Sequence, residues 1–187
     1  MESILKAIKK KKIPINPAVV ISNKPNAKGL AIAKKMGIQT EVIESSKYKG
    51  KRLQYDKEII STLKKYKVTP SNGLVCLAGF MRIISPYFIK EYKNKILNIH
   101  PALLPAFPGL DAQKQAIEFG SKFSGCTVHF VNEELDSGEI ILQEEVPILK
   151  DDTVETLTKA VQRREYYVLP QAIQIFKETT LCVLDDK

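Results

Sequence analysis

Short apolar runs alternate with amphipathic helical stretches along most of this chain, and that alternation limits the possible folds more than any other feature. The runs 18–22, 38–43 and 73–79 have the length and the apolar content of buried strands, and helical patterns separate them. The pattern predicts an α/β fold with a doubly wound, mostly parallel sheet. Two late strands, at 127–131 and 139–148, predict an antiparallel edge of that sheet.

Composition indicates one globular domain that covers residues 1–187. The chain has 44% hydrophobic residues, and we find no repeat, no long linker and no apolar run of the length that spans a bilayer. The net charge of +8 would attract phosphate and polyglutamate groups, and it would equally suit nucleic acid. No nucleic-acid-binding motif accompanies the charge, so we expect neither a nucleic-acid nor a membrane partner.

The three cysteines, Cys76, Cys126 and Cys182, are odd in number and far apart in sequence. They have no metal-ligand spacing and form no disulfide framework, which indicates reduced thiols and a cytoplasmic protein without a metal.

The segment Asn98-Ile99-His100-Pro101 narrows the chemistry most. Asn98 and His100 are two residues apart, so on a strand that Pro101 ends they point to the same face. An amide, an imidazole and the carboxylate of Asp136 are together the groups needed to pass an acyl group between amines. The chain has only two histidines, so a histidine acid or base must be His100 or His129. By itself an Asn-x-His pair is more often structural. Asp136 precedes Ser137-Gly138, and as a turn residue it would need no catalytic role.

Four motifs in order carry a specific resemblance. They are the runs 77–86 (LAGFMRIISP), 97–105 (LNIHPALLP), 107–110 (FPGL) and 129–138 (HFVNEELDSG). With them the chain resembles the phosphoribosylglycinamide formyltransferase family from near residue 4 to about residue 176. The resemblance implies one formyltransferase domain with the formyltransferase fold. It also implies an enzyme that transfers a formyl group from 10-formyltetrahydrofolate, the cosubstrate, to the amine of glycinamide ribonucleotide in purine (IMP) biosynthesis, as a monomer or homodimer.

The same resemblance implies roles for particular residues. His100 is the catalytic imidazole, Asn98 helps to hold the formyl oxygen, and Asp136 favours the protonated imidazole and relays protons. The segments implied to bind the folate comprise Arg52, Met81, Arg82, Ile83, Ile84, Asn132, Glu133, Glu134 and Leu135. Residues implied to bind glycinamide ribonucleotide are Gln162, Arg163, Arg164 and Glu165.

Several of these residues also have plainer interpretations. Met81, Ile83 and Ile84 could be core residues, and Arg52 and Glu165 lie in charged helical patterns where side chains are usually solvated. His129 alternates within a predicted strand, and we interpret it as a hydrogen-bonding strand residue.

The family's first strand and its glycine-rich phosphate loop are not found in this sequence, whose nine glycines begin at Gly29. We therefore expect an incomplete phosphate cradle. A start assigned too late, a deliberately shortened chain and a silent copy would each account for this beginning, and the sequence leaves the activity of the chain open.

Related enzymes offer alternatives. Methionyl-tRNA formyltransferase shares the Asn-x-His and Leu-Asp-x-Gly signatures, but only eleven residues follow Phe176 where its RNA-binding domain would stand. Formyltetrahydrofolate hydrolase would need an N-terminal regulatory domain. A third alternative is a catalytically silent copy that binds folate.

Overall fold

The structure is a computed structural model that describes residues 1–184, with side chains through residue 178. The side chain of Cys182 therefore lies outside the described residues. The chain forms two compact units. The first contains Met1–Cys76 and Phe80–Ile96, and the second contains Leu77–Gly79 and the described chain from Leu97 onward.

Helices and strands alternate as the apolar pattern predicts. The helices are α1 (Glu2–Lys9), α2 (Lys28–Lys35), α3 (Arg52–Lys65), α4 (Pro86–Glu91), α5 (Ala112–Phe119) and α6 (Val154–Leu184). The strands are β1 (Val20–Ser22), β2 (Thr40–Val42), β3 (Val75–Leu77), β4 (Ile96–His100), β5 (Phe123–Phe130) and β6 (Ile140–Pro147). The strands β1, β2, β3 and β6 lie within the predicted runs, whereas β5 begins earlier than predicted, at Phe123.

The strands form two sheets of different character. β1 and β2 pair in parallel in a two-stranded sheet, and the other sheet has the order β3-β4-β5-β6. β5 is antiparallel to both β4 and β6. The predicted α/β architecture is confirmed, with parallel and antiparallel strand pairs and a larger antiparallel part than the single late strand pair suggested.

One capping prediction is wrong in detail. The sequence pattern suggests a capping box of Asp152 and Glu155 for α6. In the structure the hydroxyl of Thr153 accepts from the backbone N–H of Thr156, and the Thr156 hydroxyl accepts from the Thr153 N–H. Asp152 instead accepts from the N–H of Leu149, so it closes the turn before the helix.

Candidate active site

Strand β4 places Asn98 and His100 beside two residues of β5. In the antiparallel register His100 lies opposite Thr127, and Asn98 lies opposite His129. Because side chains alternate along a strand, residues 98 and 100 share one face, as the spacing predicts. The strand ends at His100, where Pro101 has no N–H to continue the ladder.

His100 is almost fully buried, with 4% of its surface exposed. Its Nε2 lies 2.8 Å from the backbone carbonyl oxygen of Phe107, and its Nδ1 lies 3.3 Å from Oδ2 of Asp136. A carbonyl oxygen only accepts hydrogen bonds, so Nε2 carries a proton. The geometry therefore leaves Nδ1 as the ring nitrogen that faces the carboxylate.

Asp136 is held in place by a hydrogen bond to its carboxylate and by the tight turn that carries it. Its Oδ2 accepts a hydrogen bond from the backbone N–H of Gly109 at 2.9 Å. Its backbone has φ 48°, a left-handed conformation that Asp tolerates better than most residues. Two residues later, Gly138 lies so close to the carbonyl oxygen of Phe130 that an added Cβ would stand 1.7 Å from it. The turn that carries Asp136 thus requires a glycine at 138.

His129 joins the same cluster. Its Nδ1 donates to the Phe130 carbonyl at 2.8 Å, and its Nε2 lies 3.4 Å from Nδ2 of Asn98 and 3.7 Å from Oδ1 of Asp136. Burial lowers the pKa of His129, against smaller opposing effects of the Phe130 carbonyl and of Asp136. A neutral ring with its proton on Nδ1 presents the Nε2 lone pair to Asn98, which fixes the orientation of that amide.

The structure adds groups that the sequence motifs alone did not assign. Phe107 and Gly109 belong to one of the four motifs, but they contact the site through backbone atoms. The Phe107 carbonyl contacts His100, and the Gly109 N–H contacts Asp136. No periodicity or spacing in the sequence indicates them. Only the path of the loop after β4 brings them to the site.

Two arginines of the implied folate-binding set lie together in the first unit. Arg52 and Arg82 line one open cavity of about 850 Å³, together with residues that include Tyr48, Ser85 and Tyr87. The guanidinium of Arg82 lies 4.9 Å from the ring centroid of Tyr55, a cation–π distance.

The segment that carries Arg82 is exposed from Met81 to Ile83 and becomes buried at Ile84 and Ser85. Met81 and Ile83 are 76% and 65% exposed, whereas Ile84 is 5% exposed and belongs to the core. The buried carboxylate of Asp56 accepts from the backbone N–H of Ser85 and anchors the end of this segment.

The loop before Asp136 is ordered by Asn132. Its Oδ1 accepts from the backbone N–H of Glu134 and from the hydroxyl of Ser137. The side chains of Glu133, Glu134 and Leu135 are exposed.

The residues implied to bind glycinamide ribonucleotide lie on α6. Gln162, Arg163 and Arg164 are exposed, and Arg164 forms an ion pair with Glu144 of β6 at 3.5 Å. Glu165 is partly buried, and burial raises its pKa.

Within the described part of the chain, no group of three or more His, Cys, Asp or Glu side chains is arranged to hold a metal ion. A search of the same residues also finds no helix with the length and apolarity needed to cross a membrane.

The fold and the matched sequence together define the class. Residues 1–173 match the formyl transferase family, and the chain belongs to that family of enzymes. It is 40% identical over 181 residues to phosphoribosylglycinamide formyltransferase of Escherichia coli K12, a match that covers 97% of this chain and 83% of that protein. Within this family, the relatives that the chain matches over most of both lengths include phosphoribosylglycinamide formyltransferases.

Further comparisons agree. The crystal structure of glycinamide ribonucleotide transformylase 1 from Symbiobacterium toebii has a TM-score of 0.89 and 43% identity, over 95% of this chain and 82% of that one. The trifunctional purine biosynthetic protein adenosine-3 of Gallus gallus is 44% identical over 175 residues, which are 94% of this chain. The chain spans only 17% of the length of that trifunctional relative.

Proposed function

We propose that this formyltransferase moves the formyl group of 10-formyltetrahydrofolate to the amine of glycinamide ribonucleotide, a step of purine biosynthesis. The observation that carries the proposal is the cluster of Asn98, His100 and Asp136, with Nδ1 of His100 3.3 Å from the carboxylate. The names of the relatives support formyl transfer to phosphoribosylglycinamide, which is glycinamide ribonucleotide.

The chemistry begins when the amine nitrogen attacks the formyl carbon. A C–N bond forms, and the C=O π electrons move to the formyl oxygen, which becomes an oxyanion. Asn98 has two N–H groups on Nδ2, of which one faces His129. The other is placed to donate to the oxyanion, and a proton on Nδ1 of His100 is the second donor.

The paired His100 and Asp136 then move one proton. His100 delivers its Nδ1 proton to N10 of the folate, and the emptied Nδ1, which faces Asp136, takes the proton that the attacking amine loses. The C–N10 bond breaks with its electrons on N10, and the formyl C=O reforms. The balance is one formyl group moved to the amine and one proton moved to N10.

Binding of the folate uses two regions in this proposal. The exposed side chains of Met81 and Ile83 are proposed to contact the pterin, and Ile84 supports their segment from the core. The residues of the loop 132–135 are proposed folate contacts as well. Arg52 and Arg82 offer guanidinium groups in one cavity, which suits the carboxylates of the glutamate tail.

Glycinamide ribonucleotide binds at α6 in the same proposal. Glu165 accepts hydrogen bonds from the substrate, and Gln162, Arg163 and Arg164 contribute polar and cationic groups near it. The exposure of these three side chains and the partial burial of Glu165 support this arrangement.

The proposal treats residues 1–187 as one formyltransferase domain in the cytoplasm, with small-molecule partners only and as a monomer or homodimer. One family match over residues 1–173 includes parts of both compact units and supports a single domain.

A direct assay of three acceptors tests the function. Purified protein with 10-formyltetrahydrofolate receives glycinamide ribonucleotide, methionyl-tRNA or water alone, and the formylated products are separated by mass. We expect formyl glycinamide ribonucleotide as the product with the first acceptor. With water alone, we expect formate to be released no faster than in the absence of the protein. Formyl methionyl-tRNA or free formate as the main product would replace the proposal with a tRNA formyltransferase or a hydrolase.

A further inference from the structure

A buried hydroxyl on β5 has every hydrogen-bonding capacity filled. Thr127 is fully buried, and its Oγ1 donates to the carbonyl of Ala102 at 2.6 Å. The same oxygen accepts from the backbone N–H of Leu104 at 3.0 Å and from Nε2 of Gln143 at 2.9 Å. A hydroxyl has one donor and two lone pairs, so this one has no capacity left for another arrangement.

Gln143 of β6 completes the network. Its Nε2 donates both to Thr127 and to the carbonyl of Leu104, the latter at 2.8 Å. The carbonyl only accepts, so the amide nitrogen must face it, and a flipped amide would break both contacts. Together the two side chains bind the backbone of residues 102–104 to the β5-β6 pair.

The bound segment leads directly to the His100 ring. The loop leaves β4 at Pro101, is held at Ala102 and Leu104 by the network, and returns its Phe107 carbonyl to Nε2 of His100. At its far end the N–H of Gly109 is held by the carboxylate of the site. Two sets of contacts thus hold the loop on either side of the Phe107 carbonyl. The first set, made by Thr127 and Gln143, involves no group of the proposed reaction.

We propose that Thr127 and Gln143 are positioning residues, which hold the Phe107 carbonyl against Nε2 of His100 and thereby keep Nδ1 as the reactive nitrogen. The inference rests on the proposed formyl transfer. In antiparallel register Thr127 lies directly opposite His100, so the anchor and the imidazole start from the same rung of the sheet. A displacement of about 1 Å at a reacting group is enough to lower a rate substantially.

Three variants and a matched control test the proposal. Thr127→Val keeps the shape and removes the hydroxyl, Thr127→Ser restores it, and Gln143→Met removes the amide and keeps the length. The control is Ser124→Ala on the same strand, because Ser124 is buried and its hydroxyl has no partner among the described residues. We expect kcat for formyl transfer to fall about tenfold to a hundredfold in Thr127→Val and less in Gln143→Met. KM values should change less than about twofold, and Thr127→Ser and Ser124→Ala should match the parent.

A second measurement does not depend on activity. The chain has two histidines, so ¹⁵N NMR of the imidazole rings gives two sets of signals, and a His129→Gln spectrum assigns them. Loss of the Phe107 contact should move the His100 Nε2 signal in Thr127→Val, and the signal should return in Thr127→Ser.

The outcomes separate the two proposals. An unchanged His100 signal in Thr127→Val and in Gln143→Met would overturn the positioning role, whatever the rates. A moved signal with an unchanged kcat would overturn it too, because the carbonyl contact would then have no bearing on the reaction. If the parent protein forms no formyl glycinamide ribonucleotide, the proposed function fails, while the ring signals still decide whether the network orients His100.

Discussion

One oxygen of Asp136 serves both the imidazole and the loop that covers it: Oδ2 lies 3.3 Å from Nδ1 of His100 and accepts from the Gly109 N–H at 2.9 Å. This oxygen therefore has two roles: its negative charge faces the imidazole of His100, and its lone pair accepts the hydrogen bond from Gly109. Substitutions at this position can separate the two roles.

Asp136→Asn keeps an acceptor for Gly109 and removes the charge, whereas Asp136→Ala removes both. We expect kcat to fall about a hundredfold in either variant, because the proton relay with His100 is lost. Only Asp136→Ala should also lower the free energy of unfolding, by about 0.5 to 1.5 kcal/mol, since the partly buried Gly109 N–H loses its partner. Steady-state kinetics and urea unfolding measure the two effects. Equal losses of stability in both variants would contradict the division of roles.

His100→Ala should lower kcat by about a hundredfold or more while formyl-folate binding survives, because His100 is the proposed acid and base. The comparison is His129→Gln, which keeps a hydrogen-bonding side chain next to Asn98 and should lose less activity. Calorimetry of folate binding and product formation give the two readouts. If the two variants lose kcat equally and both are folded, the assignment of His100 is wrong.

The lowered pKa of His129 predicts a pH dependence of stability. The unfolded chain binds a proton at His129 with the ordinary pKa of 6.5, and the folded chain does so only at a lower pH. The unfolded state thus holds more protons in that window, and stability falls as the pH drops below about 6.5, by at most about 1.4 kcal/mol per pH unit for one proton. His129→Gln should remove this slope. Unfolding curves of both proteins between about pH 7.5 and 5 measure it, and a constant difference across that range would rule the effect out.

Gly138→Ala should disturb Asp136 from outside the site. The new Cβ would stand 1.7 Å from the Phe130 carbonyl oxygen, which also accepts from Nδ1 of His129. We expect a loss of about 1 to 3 kcal/mol in stability together with a lower kcat. Gly29→Ala is the control, because the new Cβ there meets only the flexible end of Met1 and lies in helix α2. A Gly138→Ala protein with parental rates would show that the turn adapts without moving the carboxylate.

Arg52→Gln should raise KM for formyl folate about tenfold and leave kcat nearly unchanged, because an interaction with the glutamate tail is equal in ground and transition states. The matched substrate is a formyl pteroate without glutamate, for which the substitution should make no difference. Lys34→Gln, an exposed change of the same charge on α2, controls for net charge. An equal effect on both substrates would place Arg52 away from the tail.

Local patterns predicted the elements well because each one buries an apolar face of recognisable period. The strand that carries Asn98 and His100 ends where Pro101 requires it to end, and Gly120 closes α5 in the left-handed conformation. The carboxylate partner of His100 was also predictable, since a family motif contains it.

The contacts made by backbone groups were not predictable in the same way. The Phe107 carbonyl contributes no side-chain signal, and its approach to His100 depends on a loop fixed by residues of two other strands. Thr127 and Gln143 are ordinary strand residues by composition, and only the folded register shows what they bind. Information of this kind is carried by tertiary structure and not by any single segment.

The site forms only in one alignment of β4 and β5, in which His100 lies opposite Thr127 and Asn98 lies opposite His129. Side chains alternate between faces, so a slip of β5 by one residue along β4 would turn both Thr127 and His129 away at once. Both faces of β5 are buried, so a chain with that error would still enclose the strand, but it would lose both the amide orientation and the loop anchor. Catalytic turnover would therefore report correct alignment of these two strands more sensitively than compactness does.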